Sequence, residues 1–147
     1  MREAPRLVLA SASPRRAELL AAAGFEFDVD PVDVDESREE GERPPAYVVR
    51  VARVKASTGA RRHPNRVVLA ADTIVVLGDV TLGKPQDEAH ARGMLRRLSG
   101  RSHEVMTAVA VASNGDVRTH LEQTTVWFRT LSDAEIEWYA KSGEPMD

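Results

Sequence analysis

Residues 6–10 read RLVLA, an apolar run of the length a buried strand has, and from Pro14 the apolar positions take up helical spacing. This predicts a strand over Arg6–Ala10 and a helix over Pro14–Ala23, with Gly24 as its C-cap. Phe25, Phe27 and Val29 alternate with acids, the pattern of a half-buried strand. Residues 30–45, DPVDVDESREEGERPP, have no apolar period and read as a loop. Pro44 and Pro45 open a second helix through about Thr58, with Gly59 and Pro64 as stop signals. Val67–Leu77 is one apolar run broken at Asp72 and Thr73, and Gly78-Asp79 turns it into a short return strand. Pro85 begins a helix carrying Ala91, Leu95 and Leu98 before Gly100. Glu104–Ala112 and Thr119–Arg129 alternate as strands about the turn Asn114-Gly115. Ser132 and Glu135 form a capping box for a last helix through Tyr139. An early strand-helix-strand unit followed by hairpins predicts an α/β fold, a mixed twisted sheet with flanking helices.

Composition narrows the functional classes. A chain of 147 residues fits one domain, and a hydrophobic fraction of 42% with 29% charged residues is that of a globular protein. The formal net charge of -3 speaks against stable nucleic-acid binding, so any basic site is local. An aromatic content of 5% also disfavours a single-strand binder built on stacking. With no cysteine, disulfides and thiolate zinc sites are excluded. The opening MREAPRLVLASASPRR has too short an apolar run for a signal peptide, and no stretch nears the ~20 residues of a membrane span. The expectation is a cytoplasmic protein with no membrane contact.

Three places break local rules. Ser13 would cap the first helix and Pro14 would be its first residue, which puts Arg15 and Arg16 at the positive end of the helix dipole. Free backbone N–H groups, Ser11 and Ser13 in the turn, and two guanidinium forks describe a polyanion site. The rival reading is a pair of solvated arginines. Lys55 shares a helical stripe with Val48 and Val51, so it needs a partner or must reach water along its stem. Asp72 interrupts VVLAADTIVVL where burial would make an unpaired carboxylate costly, which favours a metal, a cation or a reaction. GDVTLGKP matches the spacing of a phosphate-binding loop, but Pro85 stands where a hydroxyl is needed for magnesium; Lys84 remains a point charge next to a predicted helix start. Asp33, Asp35 and Glu36 could hold a hard cation or form a solvated acidic loop. His63, His90, His103 and His120 lack metal-ligand spacing.

LASASPRRAELL, DES at 35–37, ARVKA at 52–56, AADTIVV at 70–76, GKP at 83–85 and LSGRSHEVMTAVAV at 98–111 together resemble the Maf family of nucleoside triphosphate pyrophosphatases. S-x-S-P-R-R with A-D-T looks like its dTTP/UTP branch. The resemblance implies a fold similar to inosine triphosphatases with a nucleotide cleft, and hydrolysis to a nucleoside monophosphate and pyrophosphate. It implies a divalent cation, Mg or Mn, held by Glu36 and Asp72. Asp72 would be catalytic, and Ser11, Ser13, Arg15, Arg16, Lys55, Thr73 and Lys84 would bind substrate, with Arg15 and Thr73 tuning base choice. It leaves room for a homodimer. Family members are associated with septum formation and arrest of cell division, so a non-catalytic nucleotide-binding regulator is the alternative. Members continue past the EPMD that ends this chain into a G-Y-x-I-Q-G segment, so the expectation is one Maf-like domain over 1–147 lacking that segment.

Overall fold

A computed structural model describes residues 6–142; the opening MREAP and the closing GEPMD, with the expectation attached to it, lie outside the described residues. The elements are β1 (Leu7–Leu9), α1 (Pro14–Ala22), β2 (Phe27–Val29), α2 (Pro44–Arg62), β3 (Val67–Leu77), β4 (Val80–Leu82), α3 (Glu88–Leu98), β5 (Ser102–Ser113), β6 (Asp116–Trp127) and α4 (Asp133–Lys141). The sheet order is β2-β1-β3-β5-β6, with β4 beside β3. Parallel β1 and antiparallel β4 both pair with β3, so the sheet is mixed, as expected. The chain divides into two compact units: residues to Thr73 with Thr107–Glu122, and Ile74–Met106 with Gln123 onward.

In the first unit β1 lies between two parallel neighbours, Val8 opposite Asp28 on one side and Val68 on the other. Parallel neighbours need crossovers, which α1 and α2 supply. Val8, Val48, Val51 and Val68 are wholly buried, so the centre of this unit is made of small β-branched side chains. α1 is capped by Ser13, whose Oγ accepts the Arg16 N–H at 3.3 Å, and Pro14 stands first in the helix. Its C-cap is Ala23 rather than Gly24; Gly24 follows with φ +90, where a left-handed turn favours glycine.

α2 runs four residues beyond the expected end at Thr58 and passes through Gly59 to Arg62. Gly59 is a packing residue here: a Cβ would stand 2.7 Å from Val68 Cγ1 and 3.3 Å from Ala10 Cβ. Close approach of helix to strands outweighs the roughly 1 kcal/mol that glycine costs inside a helix. The extra turn also gives Arg62 and His63 a partner, Asp30, at 3.2 and 2.7 Å. We expect Gly59→Ala to destabilise the protein by about 1–3 kcal/mol despite alanine's better helix propensity, because the stiff Val68 side chain cannot yield freely. Thermal melting checks this; an unchanged or raised Tm would show that the strand moves away at no cost.

In the second unit β3 turns at Gly78 (φ +59) into β4, with Val75 opposite Leu82. α3 begins at Glu88, not at Pro85, because the Asp87 carboxylate caps it by accepting the His90 N–H at 2.7 Å. Lys84 therefore does not adjoin a helix N-terminus. Leu77, Leu82 and Leu98 form a small core, with Phe128 against it. α3 and α4 are clipped by a two-pronged Arg92–Glu137 pair at 2.6 and 2.9 Å, and the expected Ser132/Glu135 capping box starts α4. β5 and β6 are each longer than the alternation predicted, and contribute residues to both units. Asn114 (φ 53) and Gly115 (φ 80) make the two-residue turn between them, whose twist matches that of the flanking strands.

Candidate active site

Ser11 follows β1 at the point where the chain leaves the sheet. Its buried Oγ accepts the Ser13 N–H at 3.2 Å and Arg16 Nη1 at 3.3 Å. Arg16 Nη1 also donates to the Ala71 carbonyl at 3.2 Å, and Nη2 donates to Thr73 Oγ1 at 3.3 Å. Thr73 Oγ1 lies 3.0 Å from Thr107 Oγ1. One guanidinium thus holds the residues immediately before and after Asp72. Helix α1 contributes a cation that fixes β3, while Arg15, one position earlier, has an exposed side chain. The two arginines therefore differ in exposure: Arg16 is partly buried with its donors on Ser11, Ala71 and Thr73, and Arg15 is exposed.

Lys55 stands on the buried stripe of α2, as its spacing with Val48 and Val51 requires, and its partners are carboxylates. Nζ lies 2.9 Å from Glu36 Oε1 and 3.5 Å from Asp72 Oδ1. The Lys55 and Asp72 side chains are 16% and 13% exposed, against 51% for Glu36, so the ammonium and one carboxylate are largely withdrawn from water. Burial raises the Asp72 carboxyl above its usual value of 3.8; Lys55 pulls it back, Glu36 pushes it up and Arg16 draws it down. A mid-strand acid pushed toward its neutral form by burial, yet held by one lysine, is a group poised to take a proton. Burial also raises the Tyr47 hydroxyl, helped by the Asp72 and Glu36 charges.

Ser11, Ser13, Arg16, Lys55, Asp72, Thr73 and Glu36 are thus all brought into one network within the first unit. Lys84 belongs to the second unit, exposed after β4. Of the remaining acids, Asp35 accepts the Ser37 N–H at 2.9 Å, and Asp33 is exposed. Sequence reasoning missed Thr107, Tyr47, Arg50 and Glu42. Tyr47 and Arg50 are three apart on α2, a spacing that puts them on one face, but their partners lie on a loop without a period. Among the described residues no group of three or more His, Cys, Asp or Glu side chains is arranged to hold a metal. Asp72 and Glu36 nevertheless converge on one cationic point, and magnesium commonly uses only one or two carboxylates with substrate phosphates and water. The donor set fits such a cation.

A family model described as Maf-like protein matches residues 6–147. The dTTP/UTP pyrophosphatase of Myxococcus xanthus (strain DK1622) is 55% identical over 141 residues, spanning 96% of this chain and 71% of that protein. The dTTP/UTP pyrophosphatase of Anaeromyxobacter dehalogenans (strain 2CP-C) is 55% identical over 148 residues, 98% of this chain and 74% of that protein. In fold the chain is similar to the nucleoside-triphosphatase / dITP/XTP pyrophosphatase of Mycobacterium abscessus, with TM-score 0.55 and 17% identity over 94% of this chain and 95% of that one. A match across nearly all the chain and relatives sharing more than half its residues lead to one conclusion: the chain belongs to the Maf-like protein family.

Proposed function

We propose that the chain hydrolyses a nucleoside triphosphate, dTTP or UTP, to a nucleoside monophosphate and pyrophosphate. The observation that carries this reading is Asp72, raised by burial, bridged to Lys55 and bracketed by Arg16, in a chain whose relatives are named for that reaction. Asp72 accepts the proton that water loses as its oxygen bonds to phosphorus. The oxygen bridge between the α and β phosphorus atoms opens, and pyrophosphate leaves. Lys55 keeps the carboxylate of Asp72 charged until that moment, and Arg16 holds the strand so that its direction is set. Arg15 and Lys84 supply cations for the triphosphate, where stabilising charge gives this chemistry most of its rate. Ser11, Ser13 and Thr73 contribute hydroxyls and backbone N–H groups to its binding, and Arg15 and Thr73 would also tune base choice.

Glu36 and Asp72 would hold a divalent cation, Mg or Mn, which when bound neutralises phosphate oxygens. The family match from residue 6 to 147 supports treating the chain as one Maf-like domain. No helix among the described residues is long and apolar enough to cross a membrane. The reading puts the protein in the cytoplasm, with a nucleotide pool as its substrate.

The test is release of pyrophosphate from dTTP and UTP by the purified chain with magnesium. Equimolar monophosphate and pyrophosphate are expected; nucleotide binding without turnover would establish the regulator in place of the enzyme. Arg15→Ala and Lys84→Ala should each lower kcat/KM while shifting stability by no more than about 0.5 kcal/mol, as exposed side chains do. A variant with wild-type kcat/KM would lose its phosphate role.

A further inference from the structure

Glu36 sits in an unfavourable place for its partner. It is half exposed, on a loop that reads DVDESREEGE, where neighbouring acids should drive its carboxylate into water. Yet Glu36 Oε1 is closer to Lys55 Nζ, at 2.9 Å, than Asp72 Oδ1 is, at 3.5 Å. The backbone around it is what α2 holds. The Tyr47 hydroxyl donates to the Glu36 carbonyl at 2.6 Å, and Arg50 Nη2 donates to the Ser37 carbonyl at 2.9 Å. Arg50 also grips the Glu42 carboxylate with Nε at 2.6 Å and Nη2 at 2.9 Å. Glu42 Oε1 accepts the Glu39 N–H at 3.2 Å, and Arg38 Nη2 donates to the Glu42 carbonyl at 2.9 Å. The Arg38 and Arg50 guanidinium carbons lie 5.9 and 5.7 Å from the centre of the Tyr47 ring.

We propose that Arg50, with Tyr47 and Glu42, is a positioning residue that sets the Glu36 carboxylate against Lys55. Tyr47, Arg50 and Lys55 are on the same helix, α2, so the loop carrying Glu36 and Glu42 is referenced to the frame that carries the partner of Glu36. Paired fork geometry fixes direction as well as distance, which a lysine at position 50 could not do. The Arg50 fork holds the Glu42 carboxyl down to about 2, so the clamp stays charged through the whole neutral range. Arg50 touches neither Lys55 nor Asp72 in this network, and it acts through Glu36. The kinetic consequence of this inference rests on the hydrolase reading; the placement of Glu36 does not.

Two measurements test it on wild-type protein, Arg50→Ala, Tyr47→Phe and Glu36→Gln. A water-soluble carbodiimide activates a carboxylate, and attack by a neighbouring lysine amine forms an amide while the urea leaves. Peptide mapping then reads how Lys55 cross-links divide between Glu36 and Asp72. The wild type should give the Glu36 product, and Arg50→Ala should lose it several-fold while the Asp72 product persists. In turnover, Arg50→Ala should lower kcat by about 10–100-fold, the usual weight of a residue that orients a ligating group, with little change in KM. Placed on Glu36→Gln, the same substitution should add almost nothing, because the residue it positions is already gone. An unchanged Glu36 cross-link in a folded Arg50→Ala variant overturns the proposal, as does a kcat loss that multiplies in full on Glu36→Gln. If circular dichroism shows Arg50→Ala unfolded, Tyr47→Phe, which deletes a single donor, decides by the same criteria at smaller size. A wild type that releases no pyrophosphate would overturn the hydrolase reading, while the cross-link still settles the positioning.

Discussion

Asp72→Asn should lower kcat on dTTP by roughly 10²- to 10⁴-fold, the usual weight of a positioned acid–base group, and leave the protein folded. The amide keeps the shape of the carboxylate and its place between Ala71 and Thr73, which Arg16 holds at 3.2 and 3.3 Å. Nucleotide affinity should hold or improve, since removing an anion beside the triphosphate relieves like-charge repulsion. Burial raises the folded-state value of Asp72 above 3.8, so the native state binds its proton more tightly than the unfolded chain does. The stability this confers is present at low pH and is lost as pH rises through the raised value. At neutral pH the charged carboxylate is a burden, and asparagine removes it. The expected Tm is therefore equal to or above that of the wild type. A strongly lowered Tm would make Asp72 a scaffold residue, and near-normal turnover in a stable variant would end its catalytic assignment. In the wild type, the acid limb of kcat/KM should lie above the ordinary range for aspartate.

Lys55→Ala should both weaken the fold and move that acid limb further up. Deleting the ammonium leaves Asp72, 13% exposed, and Glu36 facing each other without the cation 3.5 and 2.9 Å away. Leaving a mostly buried polar partner unmatched costs about 1–3 kcal/mol, and more for a charged one. Lys55 is the largest influence lowering Asp72, so its loss leaves only the weaker pull of Arg16 against burial and Glu36. Turnover at neutral pH should drop, and partial recovery at higher pH would identify protonation of Asp72 as one cause. Chemical denaturation gives the stability change, and a pH series of kcat/KM gives the shift. A Lys55→Ala protein as stable as the wild type, with the same acid limb, would show that the bridge between α2 and β3 carries neither load.

The elements with strong periods are legible in the amino-acid sequence alone: the helices α2 and α4, the long strand β3, and the Asn114-Gly115 hairpin. Each follows from local chemistry, since apolar spacing, capping side chains and turn residues act within a few positions of one another. Lys55 and Asp72 are also legible, as a cation on a valine stripe and an acid inside an apolar run. Both are violations of burial rules that a sequence displays by itself, and each demands a partner. The identity of the partners is decided only by the fold, because Lys55 meets Asp72 across 17 residues and Arg16 meets Thr73 across 57. The same holds where local rules mislead. Gly59 is a stop signal in isolation, and only its approach to Val68 and Ala10 turns it into a packing residue. Pro85 looks like a helix start until Asp87 proves the better cap. Arg15 and Arg16 are indistinguishable as neighbours in a sequence, but helical rotation sends one guanidinium to the strand and leaves the other exposed. The clamp of Tyr47, Arg50 and Glu42 is invisible in the sequence because a loop without a period has no local rule that says which carbonyls a distant helix will hold. Local propensity determined where the elements lie, and the pairing of charges between them was left to tertiary packing, where desolvation makes each partner's position matter.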